Sequence, residues 1–174
     1  GFVNPAIICS DANHIIPTSS EWLFGIMQSR IHMIWVKYIC GRLKSDFRYS
    51  ASVVYNNFPW KVLNEEQRNA IDATATKILE ARKKDASCLA NQYDLLTGEL
   101  AKAHKENDKV VAMVYGIDLK MSDEEIALEL MRRSVKMAKK KDEKKKKKTK
   151  KRTKQEKGEK LTITLQRDID FADN

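Results

Sequence analysis

The chain has 174 residues, 42% of them hydrophobic and 33% charged, with 33 Lys and Arg against 24 Asp and Glu for a formal net charge of +9. That length suits one globular domain, or a small domain with appendages. The charge is not spread over it: residues 139–160 hold 14 basic and 4 acidic side chains, a net +10, so the remainder sums to −1 and a uniformly basic fold is excluded.

Cys9, Cys40 and Cys88 are odd in number and form no CxxC pair, which argues against a disulfide scaffold and fits a reducing compartment. No secretory signal is visible. The chain opens on Gly1 rather than Met and runs at once into an apolar segment, as expected of a processed protein or of a piece of a longer one.

From Phe2 to Ile16 the chain is apolar and β-branched, interrupted by Asp11, Ala12 and Asn13, which predicts two short strands around a turn. Thr18 to Glu21 has the spacing of a capping box. One long helix is expected to follow, from Trp22 to Cys40. It contains Gln28, Arg30, His32 and Lys37, too many polar groups for a membrane span of about 20 residues. Its polar stripe of Gly25, Gln28, Ser29 and His32 is narrow, so the helix must be enclosed on most sides. Gly41 is expected to end it as a left-handed cap. A basic and aromatic segment, Arg42 to Tyr49, leads to a strand-like Val53, Val54 and Tyr55 and a turn over Asn56 to Trp60.

Asn64 then caps a helix opening on Glu65 and Glu66, with Ile71, Ala75, Ile78 and Leu79 on its apolar face. Ser87 to Thr97 reads as a linker. Leu100, Ala103, Asn107, Val110, Val111 and Val114 share one face of a further helix, which Gly116 ends. Ser122, with Asp123, Glu124 and Glu125, starts another carrying Ile126, Leu130, Met131 and Val135 inside. Beyond Met137 the sequence is of low complexity and cannot bury a core. Leu161, Ile163 and Leu165 alternate with Thr162 and Thr164, a pattern open between a strand and an unstructured end. The fold class expected is α+β, mostly α: short strands around one long buried helix, then a small antiparallel helical bundle and a lysine-rich extension.

Chemistry-bearing motifs are sparse. The closest pair of glycines, Gly25 and Gly41, lies 16 positions apart, so neither a P-loop nor a GxG fingerprint can be drawn. His14, His32 and His104 have no zinc-ligand spacing, and no metal site or catalytic residue is assigned. His32 reads as a packing residue and His104 as a helix-surface or helix-contact residue. Asn4, Pro5 and Ala6 lack the second proline and the aromatic of the NPP(Y/F/W) motif, where an aromatic stacks on a flipped base.

The informative segment is GRLKSDFRYS, from Gly41 to Ser50, in which charges alternate with aromatics. Basic groups can hold phosphates, and aromatics can pack on sugars or bases. Lys44 and Asp46 are two apart, so in an extended segment both would project the same way. Lys can donate to guanine O6 and N7, and Asp can accept from cytosine N4. On spacing alone an exposed local ion pair is the favoured reading of the two.

The run from Gly1 to Trp60, with its strings RLKSDFRYS and VVYNNFPW, resembles the end of the target-recognition domain of MmeI-like type II restriction and modification enzymes. SCLANQYD (Ser87 to Asp94) and AHKENDKVVAMVYG (Ala103 to Gly116) are similar to the helical C-terminal region of the same family. The likeness covers residues 2–133. The lysine run and LTITL lie outside the family pattern, and Lys61 stands where the family often has a second proline.

The resemblance implies three parts: residues 1–62 as the end of a DNA target-recognition domain, 63–138 as a helical C-terminal (spacer) domain, and 139–174 as a lysine-rich extension and tail. It implies sequence recognition and clasping of double-stranded DNA within a larger, cytoplasmic bacterial adenine-N6 methyltransferase, and no membrane. The S-adenosylmethionine site would lie in an upstream methyltransferase domain of the same chain, with no cofactor held by this part. Lys44 and Asp46 are then the base-reading pair; Arg42, Arg48, Tyr49 and Ser50 contact the DNA backbone or support the loop. The competing reading is a non-enzymatic nucleic-acid-binding or helical scaffold protein.

Overall fold

A computed structural model describes residues 2–143 and 146, apart from 11, 12, 45, 86, 95 and 97. The expected long helix is two helices, α1 (Glu21–Met27) and α2 (Arg30–Ile39). The break falls at Ser29, a fully buried residue in an extended conformation. Its hydroxyl donates to the Ile26 carbonyl at 2.7 Å and its Oγ accepts from the His32 amide at 3.3 Å. The Arg30 amide donates to Asp108 Oδ1 at 2.7 Å. One serine and one distant aspartate thus satisfy the groups that a continuous helix would have paired internally.

Other local expectations shift for similar reasons. No capping box forms at Thr18: the N-cap is Ser20, and the Glu21 carboxylate accepts from the Thr76 hydroxyl instead. The supposed polar stripe is not solvated, since Gly25, Ser29 and His32 are buried while Met33 is 56% exposed. Among the described residues of 2–16 there is no strand; Ile8 is 97% exposed and has no neighbouring ladder to join. Gly41 does not adopt a positive φ, because the chain leaves α2 through an extended Cys40. It starts the first strand, β1 (Gly41–Leu43), which pairs antiparallel with β2 (Asp46–Arg48).

Val53 to Tyr55 lies in a single π turn (Ala51–Tyr55) rather than a strand. Ser50 Oγ accepts from the Val53 amide, and the Asn57 side-chain amide binds the carbonyls of Ser52 and Val53, both at 3.0 Å. These bonds take the groups that a strand ladder would need.

The second half is helical as expected. Asn64 and Gln67 make a reciprocal capping box that opens α3 (Glu65–Lys84). The supposed linker contains a short helix, α4 (Leu89–Asp94), tied back by Gln92, whose amide donates to the carbonyls of Asp85 and Ser87. α5 (Gly98–Tyr115) runs antiparallel to α3: Lys84 pairs with Glu99 at one end and Lys77 with Glu106 further along. Gly116, at φ 63°, closes α5 through bonds from its own amide to Met113 and from Ile117 to Ala112, the Schellman pattern. Ser122 and Glu125 cap each other at the start of α6, residues 123–143. Its first turns bury Ile126 and Leu130 completely.

One hydrophobic cluster is built from both sides of residue 62: Ile31, Ile34 and Trp35 of α2, Val54, Phe58, Ile71 of α3, Val111 of α5, and Ile126 of α6. A second unit begins at residue 133, and its described residues 133–143 are helical with Val135 exposed. The alternating Leu161 to Leu165 segment lies outside the described residues.

Gly25 of α1 lies directly against α3 and α5. A Cβ there would meet Ile71 Cγ2 at 2.6 Å and Asn107 Oδ1 at 3.0 Å. Both neighbours are fully buried, and Asn107 is committed, donating to the Gly25 carbonyl at 2.8 Å and accepting from Thr74 at 3.0 Å. Gly25→Ala is therefore expected to lower stability by about 1–3 kcal/mol through overpacking, against the gain of up to about 1 kcal/mol that alanine gives an ordinary helix. Urea denaturation reads the sign; a raised midpoint would contradict the close contact.

Candidate nucleic-acid interface

GRLKSDFRYS forms a hairpin whose strands pair Gly41 with Arg48, Arg42 with Phe47 and Leu43 with Asp46. Every described residue from Gly41 to Arg48 is exposed. Alternation places Leu43, Asp46 and Arg48 on one face, and Arg42 with Phe47 on the other. There the Arg42 guanidinium lies 4.5 Å from the Phe47 ring centroid, a cation–π contact that braces the two strands.

The expectation that Lys44 and Asp46 sit on one extended strand is corrected. Lys44 occupies the turn with φ 57°, the only non-glycine residue with positive φ among those described. Two-residue hairpin turns need positive φ at their first central position, so the tight connection between Leu43 and Asp46 forces Lys44 there. The two side chains come to the hairpin tip by way of the turn, not by strand alternation.

The feet of the hairpin are both fastened to α2. β1 continues directly from its C-terminus, and Tyr49, just past β2, returns its hydroxyl to His32 Nε2 at 3.1 Å. His14 Nε2 donates to the Tyr49 carbonyl at 3.0 Å. Burial pushes the Tyr49 hydroxyl up to about 12, with Tyr55 and Cys40 adding to the effect. His32 is 2% exposed and stacks edge-on against Phe58, ring centroids 4.7 Å apart. Burial lowers it to about 4, so it is a neutral packing residue at physiological pH. Ser50 supports the loop by capping the π turn. Sequence reasoning missed His14 and Phe58 as supports: they lie 35 and 9 positions from Tyr49 and carry no local signal.

The other histidine behaves as expected of a helix contact. His104 Nε2 lies 2.6 Å from the Tyr93 hydroxyl, joining α5 to α4. Among the described residues no three His, Cys, Asp or Glu are grouped to hold a metal, and no helix is long and apolar enough to cross a membrane.

A family model described as the MmeI target recognition domain matches residues 1–62, and one described as the MmeI C-terminal domain matches residues 62–140. The chain belongs to the MmeI family. The DNA methyltransferase A of Bacillus subtilis (strain 168) is 38% identical over 127 residues, which are 72% of this chain and 14% of that protein. A solved structure of the type IIL restriction-modification enzyme MmeI in complex with DNA shares 39% identity at a TM-score of 0.68. That likeness covers 71% of this chain and 17% of the other. The chain thus spans about a seventh of the length of its curated relative. The hairpin lies within the recognition-domain match, and α3, α4 and α5 within the C-terminal match.

Proposed function

We propose that this chain reads DNA sequence and clasps the duplex within a larger S-adenosylmethionine-dependent adenine-N6 methyltransferase of a restriction-modification system, acting in the bacterial cytoplasm. Residues 1–62 supply the reading element and 63–138 a helical clasp and spacer. Methyl transfer belongs to an upstream methyltransferase domain, and none of this chain's residues is assigned to the methyl donor. The DNA in the related MmeI complex supports DNA as the partner.

The observation that carries this reading is the backbone of Lys44. Positive φ favours glycine or asparagine, and a long side chain held there costs about 1–2 kcal/mol. Such strain clusters at functional sites, where the side chain rather than the backbone is what is needed. An exposed lysine at the tip of a braced, doubly anchored hairpin has the donor for guanine O6 and N7, and Asp46 beside the turn has the acceptor for cytosine N4. Arg48 and Arg42 supply contacts to phosphate, while Tyr49 and Ser50 hold the loop.

Lys44→Gly tests it. Relieving the backbone is expected to leave the protein as stable or up to about 1 kcal/mol more stable, while discrimination at one base pair falls about tenfold or more. Arg48→Ala, by contrast, is expected to weaken binding to all duplexes alike and reduce the salt slope by about one. Methylation of a library of substituted duplexes by the full-length enzyme separates the two. If Lys44→Gly kept full discrimination at every position, the hairpin would not be the reader.

A further inference from the structure

Helix α2 carries the hairpin on its C-terminal end, so the direction of that helix sets where Lys44 and Asp46 stand. Besides the contacts of Trp35 with Val54 and of His32 with Tyr49, α2 is fastened at both ends by polar groups past residue 62. At its first turn, the Arg30 amide donates to Asp108 of α5, and the Arg30 guanidinium donates to the Leu119 carbonyl at 3.0 Å and to Asp123 Oδ1 at 2.8 Å. At its last turn, Lys37 donates to Asp123 Oδ2 at 3.2 Å and the Tyr38 hydroxyl donates to Glu124 at 2.6 Å. Asp123 therefore bridges two turns of α2 with its two oxygens.

The two fastening points, residues 30 and 37–38, are separated by about 10–12 Å of helix at 1.5 Å per residue. Two points along an axis fix its tilt, which one cannot. The charges agree with the geometry: hydrogen bonds from Arg30 and then Lys37 hold the Asp123 carboxyl below the usual carboxylate range, and the Tyr38 hydroxyl does the same for Glu124. Base reading tolerates about 0.5 Å of displacement, and a small tilt of α2 is carried outward along the hairpin.

We infer that Asp108, Asp123 and Glu124 form a bracket by which the C-terminal helices set the position of the reading hairpin, so that base discrimination depends on residues of the C-terminal domain that hold α2. The inference rests on the hairpin being the reader. Its distinguishing feature is locality: loosening the bracket blurs the base pair read by Lys44 and Asp46, and leaves base pairs read by other parts of the recognition domain alone.

The test uses the full-length enzyme and two ratios of kcat/KM: cognate duplex over a duplex substituted at the base pair affected by Lys44→Gly, and cognate over a duplex substituted elsewhere in the target. Asp108→Ala combined with Asp123→Ala is expected to lower the first ratio about tenfold and leave the second unchanged. Asp108→Asn, which retains an oxygen for the Arg30 amide, is expected to keep the first ratio near the parental value. Tyr38→Phe, which deletes one surface hydroxyl and keeps the ring, supplies a variant that folds, with an expected two- to threefold fall. A first ratio that does not move in Tyr38→Phe or in the double variant, or a second ratio that falls with it, overturns the bracket. If Lys44→Gly itself leaves every ratio intact, the hairpin reading fails instead.

Discussion

Exchanging the charges at the hairpin tip, Lys44→Glu with Asp46→Arg, is expected to reverse the base pair that the full-length enzyme prefers at one position of its target. In the major groove a G·C pair shows guanine acceptors on one side and a cytosine donor on the other; C·G shows the same groups in mirrored order. A donor at 44 and an acceptor at 46 match one order, and the exchanged pair matches the other. A good contact of this kind is worth about 1–3 kcal/mol of discrimination, so the preference should turn over by about one to two orders of magnitude. Neither side chain is buried and neither contributes to the core, so folding should survive. Methyl transfer on the new target should proceed at a comparable rate, because nothing in the hairpin is placed to act on the methyl group. Sequencing modified adenines in DNA exposed to the exchanged enzyme reads the outcome. An unchanged target at normal activity would remove Lys44 and Asp46 as readers and leave them an exposed pair at the end of a turn.

Elements decided by neighbours in sequence were legible in the sequence. Asn64, Gly116 and Ser122 begin or end helices through bonds spanning three to five residues, and the apolar faces of α3 and α5 follow from their spacing. Elements decided from afar were not. The break at Ser29 is capped by its own hydroxyl, but the Arg30 amide beyond it is taken by Asp108, 78 positions away, and a serine inside an apolar run does not announce that partner. The Glu21 carboxylate leaves its own helix end for Thr76, 55 positions away. The recognition segment stood out by composition, yet its turn did not, because it lacks the Asn-Gly or Asp-Gly pair that usually marks a two-residue hairpin. That omission is informative in retrospect: a turn built for stability would use glycine, and this one holds a lysine at a backbone cost. The packing role of His32 is legible from its place on a largely apolar helix, but its second role, receiving Tyr49 at the foot of the hairpin, arises only when the chain doubles back.

That second role makes acid a specific threat to the hairpin. Burial holds His32 at about 4 in the folded protein, against 6.5 for an unburied histidine. Between those values the unfolded chain binds a proton that the folded one refuses, so stability is greatest above pH 6.5 and is lost as pH falls toward 4. The full difference amounts to about 3 kcal/mol at 1.4 kcal/mol per unit. The structure shows why the folded state refuses: Nε2 is already engaged with Tyr49, and buried Nδ1 has no hydrogen-bond partner among the described residues to accept an added proton. His32→Gln keeps a polar atom for the Tyr49 hydroxyl and cannot titrate. Urea denaturation at a series of pH values should therefore give a shallower fall for His32→Gln than for the parent, by about one proton between pH 6.5 and 4. His104 is depressed too, by burial and by Arg82, but it is present in both proteins and cancels from the comparison. Parallel curves would mean that His32 is not the group refusing the proton. A difference of the expected sign would identify buried His32, the residue that receives Tyr49, as the group that refuses the proton.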